Sequence, residues 1–383
     1  MTTFRALLPP LALCALAACA GGSSSGAPAP AEEPAVRNII LMIADGTGAG
    51  VWTAAEFASD ALNVKRMPVT GLVDTRSASH KVTDSAAGAT VYATGERVTN
   101  RTISVGPSSA CPLPRGGNAA GGVWPAGCER LETWFAIARS KGKATGVTTT
   151  TSVVDATPAA FVAHSPSRYW SEPIAAQFAE AGLDVLLGGG RASFEGATRS
   201  DGRDLLGAMC ARAQCVDDAG ELAAYRPDAR PLVGLFTPGD MDADSTRAVS
   251  VPAMVEAALA KLSRDPDGFV AMFETEATDN ATHSNLPLER VTADILEFDR
   301  AVGIALDFAR RTPGTLLIVT SDHETGGFSL AETGRDFELK YTTRGHTGAL
   351  VPLFAYGPFA ERFGGFRENH EIGRMLVEIV RGW

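Results

Sequence analysis

Beyond residue 36 the chain alternates short apolar runs with stretches of helical periodicity. The runs are NIILMIAD (38–45), ATGVTTTTSVVD (144–155), DVLLGGG (184–190), GFVAMFE (268–274), TLLIVTSDH (315–323) and LVPLFAYG (350–357). Several are apolar at almost every position, the pattern of a strand covered on both faces rather than the in–out alternation of a strand with one wet face. Between them a 3.6-residue period predicts helices near 85–95, 128–141, 171–181, 202–213, 251–264, 287–311 and 369–381. Alternation of this kind predicts an α/β fold, a three-layer α/β/α sandwich around a mostly parallel central sheet. Two stretches lack regular pattern: 96–127, rich in Gly and Pro, and 191–250. Both read as insertions on one core domain spanning 37–383, and there is no internal repeat.

The first 36 residues belong to a different regime. Arg5 precedes an apolar stretch over 6–18 that is too short to span a bilayer comfortably. It ends Leu16-Ala17-Ala18-Cys19, small residues with a Cys directly after them. The arrangement resembles a bacterial lipoprotein signal, which implies removal of residues 1–18 and acylation of Cys19. Residues 20–36, rich in Gly, Ser, Ala and Pro, read as a flexible tether. The expected location is the cell envelope, on a lipid anchor facing the periplasm, in the outer membrane of a Gram-negative bacterium. An ordinary secretory signal is the plainer alternative.

Composition narrows the function. With 34 basic and 44 acidic residues the net charge is −10 over 383 residues, which argues against a protein that coats nucleic acid through a basic face. Hydrophobic residues at 45% and charged residues at 20% exclude disorder for most of the chain. Six cysteines include Cys14 and Cys19 of the signal, leaving Cys111, Cys128, Cys210 and Cys215. An even number in an exported chain reads as disulfides, most simply Cys111–Cys128 and Cys210–Cys215.

Four apolar runs end in an acid: Asp45, Asp155, Glu274 and Asp322. Ligands of open α/β sheets bind outside the carboxyl ends of the strands, so four acids arriving there would crowd one crevice with negative charge. Any one of them alone is explained as a turn residue or helix cap. Asp279 and His283 stand at i, i+4, on one face if that segment is helical. Asp322 and His323 adjoin at a strand end, and His346 lies in the Gly-flanked loop RGHTG. So many carboxylates together would repel and take up protons unless cations neutralised them. Mixed Asp/His ligands suit zinc and oxygen-only ligands suit magnesium, so more than one metal is expected.

Ser85 follows Asp84 and opens an Ala-rich segment expected to be helical. There it either caps the helix or serves as a nucleophile in the positive field of the helix N-terminus. The residues alone leave both readings open.

The motifs DGTG (45–48), TDSAAGAT (83–90), DATPAAFVAHSPSR (155–168), ETEATDNATH (274–283), SDHETGG (321–327) and HTG (346–348) resemble those of alkaline phosphatases, in the same chain order. The resemblance spans roughly residues 38–380 and implies an alkaline-phosphatase-like fold with two Zn2+ and one Mg2+ per chain. It makes Ser85 the phosphorylated nucleophile and Arg168 the clamp on the non-bridging phosphate oxygens. Asp45 would bridge one zinc and the magnesium, with Asp322 and His323 completing that zinc site. Asp279, His283 and His346 would hold the second zinc, on the side of the attacking water. Thr157 and Glu274 would serve magnesium, with Asp155 beside them, directly or through water. The implied reaction is hydrolysis of small phosphate monoesters through a phosphoserine, and the family also allows a homodimer.

Two positions depart from the family pattern. Asn280 follows Asp279 where a Lys or His commonly helps position phosphate through water, so substrate binding at Asn280 would be uncharged. Thr275 follows Glu274 where Gly is usual. His80, His164 and His370 have no carboxylate partner at a ligand spacing and read as structural or surface histidines. Tyr169 and Trp170 either line the substrate entrance or pack in the core. Two other functions compete: a phosphodiesterase or nucleotide pyrophosphatase of the same superfamily, and a non-catalytic lipoprotein that binds metal or phosphate. Ser85 with Thr157 and Glu274 argues against the first, and the full set of ligands against the second.

Overall fold

A computed structural model describes residues 35–106, 124, 126–241 and 247–383. The signal, Cys19 and nearly all of the tether lie outside the described residues, as does Cys111.

Ten strands make the central sheet: β1 (Asn38–Ala44), β2 (Val69–Asp74), β3 (Ala144–Ser152), β4 (Val185–Gly189), β5 (Gln214–Cys215), β6 (Leu232–Leu235), β7 (Phe269–Thr275), β8 (Thr315–Thr320), β9 (Val351–Tyr356) and β10 (Gly365–Glu368). Their order is β10-β2-β9-β8-β1-β7-β3-β4-β6-β5, and only β9 runs against the others. All six apolar runs became strands of this sheet.

Strand β1 shows why the fold has three layers. Ile39, Leu41 and Ile43 point into one hydrophobic core, and Ile40, Met42 and Ala44 into the other. A strand fully buried on both faces needs helices above and below it. The first face is covered by α2 (Ser85–Thr94), α3 (Trp134–Ser140), α4 (Ala156–Val162), α5 (Ser171–Ala181) and α11 (Asn369–Arg381). The second is covered by α1 (Ala49–Ala58), α8 (Val251–Leu262) and α10 (Leu288–Arg311). In α10 the stripe Val291, Ile295, Phe298, Val302, Ala305 and Ala309 is buried, one residue every three or four, as an amphipathic helix requires.

Two expectations need adjustment, and one strand was not anticipated. The helix expected over 128–141 begins only at Trp134, because the Thr133 side chain accepts from Ala136 N–H and caps it there. Glu129–Arg130 instead pairs with Val105–Gly106. The stretch 191–250, read as an insertion, supplies β5 and β6 to the sheet, together with helices α6 (Leu205–Cys210) and α7 (Ala219–Ala224). Strands of two and four residues are too short for a period to register. Within that stretch Cys210 and Cys215 are disulfide-bonded, as expected. Strand β2 went unread because its alternation runs against residue type, with Leu72 exposed and Gly71 buried.

Candidate active site and metal centres

Strands β8, β1, β7 and β3 are consecutive in the sheet and mutually parallel. Asp322, Asp45, Glu274 and Asp155 lie at or just past their carboxyl ends, so four sequence-distant acids arrive side by side. The helical condition on Asp279 and His283 is met by α9 (Ala277–His283). His346 arrives by another route. Thr325 and His346 pair across the short antiparallel strands Glu324–Thr325 and His346–Thr347, which stacks the His346 ring on His323 at 3.6 Å between centroids.

Two groups of potential ligands result, Asp45 with Asp322 and His323, and Asp279 with His283 and His346. Within each, the ligand atoms all lie within 4.8 Å of one another. In the first, His323 Nε2 is 3.4 Å from Asp45 Oδ1 and 3.4 Å from Asp322 Oδ2. In the second, His283 Nε2 is 3.3 Å from Asp279 Oδ2 and 3.1 Å from His346 Nε2. Backbone carbonyls orient two of the rings: His283 Nδ1 faces Arg344 O at 2.5 Å and His346 Nδ1 faces Thr83 O at 2.9 Å. A carbonyl accepts a hydrogen from Nδ1, which leaves the Nε2 lone pair free for a metal. The Thr325 hydroxyl donates to Asp279 Oδ1 at 2.5 Å and lies 3.2 Å from His323 Nδ1, linking the two groups.

Orphaned oxygens show that the residues suit cations. Asp45 Oδ1 and Asp322 Oδ2 are shut off from solvent with no hydrogen-bond partner among the described residues, and these are the two atoms that converge on His323 Nε2. Buried acceptors without a donor are costly, and their donor set suits a cation. The mixed carboxylate–imidazole donors fit zinc. A third, oxygen-only set adjoins them. The Thr157 hydroxyl donates to Asp45 Oδ2 at 3.3 Å, and the Thr149 hydroxyl donates to Glu274 Oε2 at 2.6 Å. Hard donors of this kind fit magnesium.

Electrostatics tell the same story. Burial, then Asp322, Asp279 and Glu274, pushes the Asp45 carboxyl well above its ordinary value. Burial and then Asp279 push Asp322 up to about 7, and burial foremost pushes Glu274 up to about 8. Burial, reinforced by His346 and His283, pushes His323 well below the usual imidazole range, so its ring is neutral and able to ligate.

Ser85 is the first residue of α2, capped by Asp84 through Ala87 N–H at 3.2 Å. The cap and the nucleophile candidate are thus different residues, which removes the competing role for Ser85. Its Oγ is buried 3.2 Å from His323 Nε2. Arg168 spans Asp84 and Asp155, with Nη1 to Asp84 Oδ2 at 3.3 Å and Nη2 to Asp155 Oδ1 at 3.1 Å. Burial disfavours its charge, but Asp155 and Asp84 outweigh that and hold it firmly protonated. Asn280 is half-buried on α9, next to Asp279. Trp170 is buried and Tyr169 exposed. His164 bonds Leu131 O, His80 bonds Ser79 and His370 pairs with Glu368, all outside the metal groups.

One acid was missed in the sequence, Glu276. It lies between Glu274 and Asp279, and burial with Asp155 and Glu274 holds its carboxyl well above the usual range. Its only sequence signal is the acid-rich string ETEATD.

A family model described as alkaline phosphatase matches residues 36–340, leaving His346 beyond the matched segment. Streptomycin-6-phosphate phosphatase of Streptomyces griseus is 33% identical, over 94% of this chain and 93% of its own length. Alkaline phosphatase 3 of Bacillus subtilis is 27% identical, over 98% and 97%. Among solved structures, the alkaline phosphatase of the Antarctic bacterium TAB5 superposes with a TM-score of 0.79 at 30% identity, covering 91% of this chain and 99% of its own. A variant of that enzyme, with a TM-score of 0.78, carries Mg in its M3 site; it too is 30% identical and covers 91% and 99%.

Proposed function

The chain belongs to the alkaline phosphatase family and is a phosphatase, and from that premise we propose that it hydrolyses phosphate monoesters to an alcohol and inorganic phosphate through a phosphoserine at Ser85. The observation that carries the reading is the approach of Ser85 Oγ to His323 Nε2, inside the Asp45–Asp322–His323 group.

Asp45, Asp322 and His323 would hold one zinc, and Asp279, His283 and His346 the other. Asp45, Thr157 and Glu274, with Asp155, would hold magnesium. When bound, these ions neutralise the phosphate dianion and lower the pKa values of the Ser85 hydroxyl and the attacking water. Everything else falls to the chain's own side chains. Ser85 gives up its proton as Oγ attacks phosphorus in line, the Oγ–P bond forms as the bond to the alcohol oxygen breaks, and the departing oxygen takes up a proton from solvent to leave as the alcohol. Arg168, already held by Asp84 and Asp155, presents its fork to two non-bridging oxygens. The N-terminus of α2 adds partial positive charge at the same point. Water then attacks phosphorus from the opposite side, and Ser85 leaves with its proton restored. Two inversions give net retention at phosphorus.

Acylation at Cys19 would tether this domain to the envelope, facing the periplasm. Loss of radiolabelled palmitate incorporation in C19S tests the anchor.

The reaction is tested by metal analysis and p-nitrophenyl phosphate turnover between pH 7 and 10. Two zinc and one magnesium per chain, with turnover lost in S85A and in EDTA, is the expected result. Metal-replete protein that cleaves only a bis-ester would move the assignment to the diesterase branch. Inertness toward both would favour a binding lipoprotein.

A further inference from the structure

The two candidate metal groups meet in one side chain, Thr325. It is fully buried in the two-residue strand Glu324–Thr325, where it pairs with His346 and its N–H donates to Gly46 O at 3.0 Å. Its hydroxyl oxygen lies 2.5 Å from Asp279 Oδ1 and 3.2 Å from His323 Nδ1. Asp279 belongs to one candidate metal group and His323 to the other.

A hydroxyl has one hydrogen to give, and a carboxylate can only accept. The Thr325 hydrogen therefore goes to Asp279 Oδ1, the shorter of the two contacts. The oxygen is left to accept, so His323 Nδ1 must carry the hydrogen of the second bond. A neutral imidazole bears one ring N–H, which leaves Nε2 bare. That bare nitrogen is the atom facing Asp45 Oδ1, Asp322 Oδ2 and Ser85 Oγ. His283 and His346 are oriented instead by main-chain carbonyls, Arg344 O and Thr83 O. Of the three rings, His323 is the one held through a side chain that is bonded in turn to a member of the other group.

We propose that Thr325 is a positioning residue whose single hydroxyl hydrogen fixes the His323 tautomer and ties the filling of one metal group to that of the other. The inference rests on the two-zinc reading above and deepens it. Fixing Asp279 fixes the hydroxyl, the hydroxyl fixes His323, and the link runs equally in reverse. Shape alone would not do this. Val matches the outline of Thr but takes this partner from both Asp279 Oδ1 and His323 Nδ1 in a buried place. Ser keeps the hydroxyl and gives up only the methyl.

The test titrates the zinc-loaded full chain with a chelator and counts the zinc retained by plasma mass spectrometry after gel filtration. Both zinc ions of the wild type are expected to leave in one transition. T325V is expected to weaken both by about tenfold and to part them into two transitions, and T325S to restore the wild-type curve. A wild-type curve in T325V overturns the proposal. Equal weakening in T325V and T325S overturns it as well, because the role would then be packing. Weakening of one zinc alone, or two separate transitions in the wild type, removes the link and with it the proposal. If T325V does not fold, T325A set against T325S carries the test, since the two differ only by the hydroxyl oxygen, and equal zinc affinity in them overturns the proposal. The tautomer is read separately in zinc-stripped wild type labelled with nitrogen-15 histidine, with the His323 ring identified by its absence from H323N. Magnetic resonance should place the hydrogen on Nδ1, and a hydrogen on Nε2 overturns the assignment. A wild type that binds no zinc sinks the two-zinc reading and this inference together, whereas two zinc ions held alike by T325V and T325S sink only the role of Thr325.

Discussion

Ser85 Oγ lies 3.2 Å from His323 Nε2, the same nitrogen that faces Asp45 Oδ1 and Asp322 Oδ2 at 3.4 Å each. The candidate nucleophile and three candidate ligands thus converge on one point. Their roles still separate. S85A removes one oxygen that no ligand needs, so zinc content should stay at the wild-type level while turnover falls by at least about 10³-fold. H323A removes a proposed ligand, so one zinc and turnover should go together. Plasma mass spectrometry beside p-nitrophenyl phosphate kinetics distinguishes them, and zinc loss in S85A equal to that in H323A would refute the separation.

Arg168 is held at two nitrogens by two acids, Asp84 and Asp155. Asp84 is itself fixed, because both its oxygens accept from Arg101 N–H, at 3.0 and 3.1 Å. The guanidinium therefore meets a substrate already oriented. R168A should lower kcat/KM on the order of 10²-fold and weaken inhibition by inorganic phosphate, with metal content unchanged. R168K should recover little, since one ammonium cannot engage both acids in this geometry. Wild-type phosphate inhibition in R168K would count decisively against a clamp.

How much of this was legible depends on how far each signal reaches. Asp45, Asp155, Glu274 and Asp322 were readable because each closes an apolar run, and run ends are local. That their strands lie side by side in the order β8-β1-β7-β3 is a matter of long-range pairing, such as Ile39 with Leu316 and Val270, which no window along the chain contains. His346 reaches the site through strands of two residues, Glu324–Thr325 and His346–Thr347, far below any detectable period. The sequence offered it only as a histidine in a Gly-flanked loop, and family resemblance assigned it a role. Glu276 had neither aid, since one more acid in the string ETEATD carries no signal of its own.

Gly46 packs tightly against Asp279. Its φ is +68°, and a Cβ there would stand 2.5 Å from Asp279 Oδ1 and 2.8 Å from Asp279 Cα. G46A therefore meets both a left-handed backbone and a neighbour whose main chain must move. The strain is about 1–3 kcal/mol. The displaced residue belongs to only one of the two candidate metal groups, so G46A should lose the zinc proposed for Asp279, His283 and His346 and keep the other. A retained pair of zinc ions with unchanged melting temperature would show that the α9 turn yields freely.

Metal removal should invert the protein's response to pH. Asp322 and Glu274 are pushed up to about 7 and about 8 by burial and neighbouring acids, against about 4 in an unfolded chain. In metal-free protein the folded state then retains protons that the unfolded state has released. Below about pH 4 both states are protonated and this contribution to stability is fully present. As pH rises toward 7–8 it is lost, at roughly 1.4 kcal/mol per pH unit for each retained proton. The melting temperature of EDTA-treated protein should therefore fall steadily from pH 5 to 8. With zinc and magnesium restored, cations take the place of those protons, and binding to the native state alone raises stability as the ligands ionise. The gap between metal-replete and metal-free melting temperatures should widen over the same range. A metal-free protein whose melting temperature stays level or rises between pH 5 and 8 would mean that these carboxyls ionise freely, and that the crevice has no need of cations.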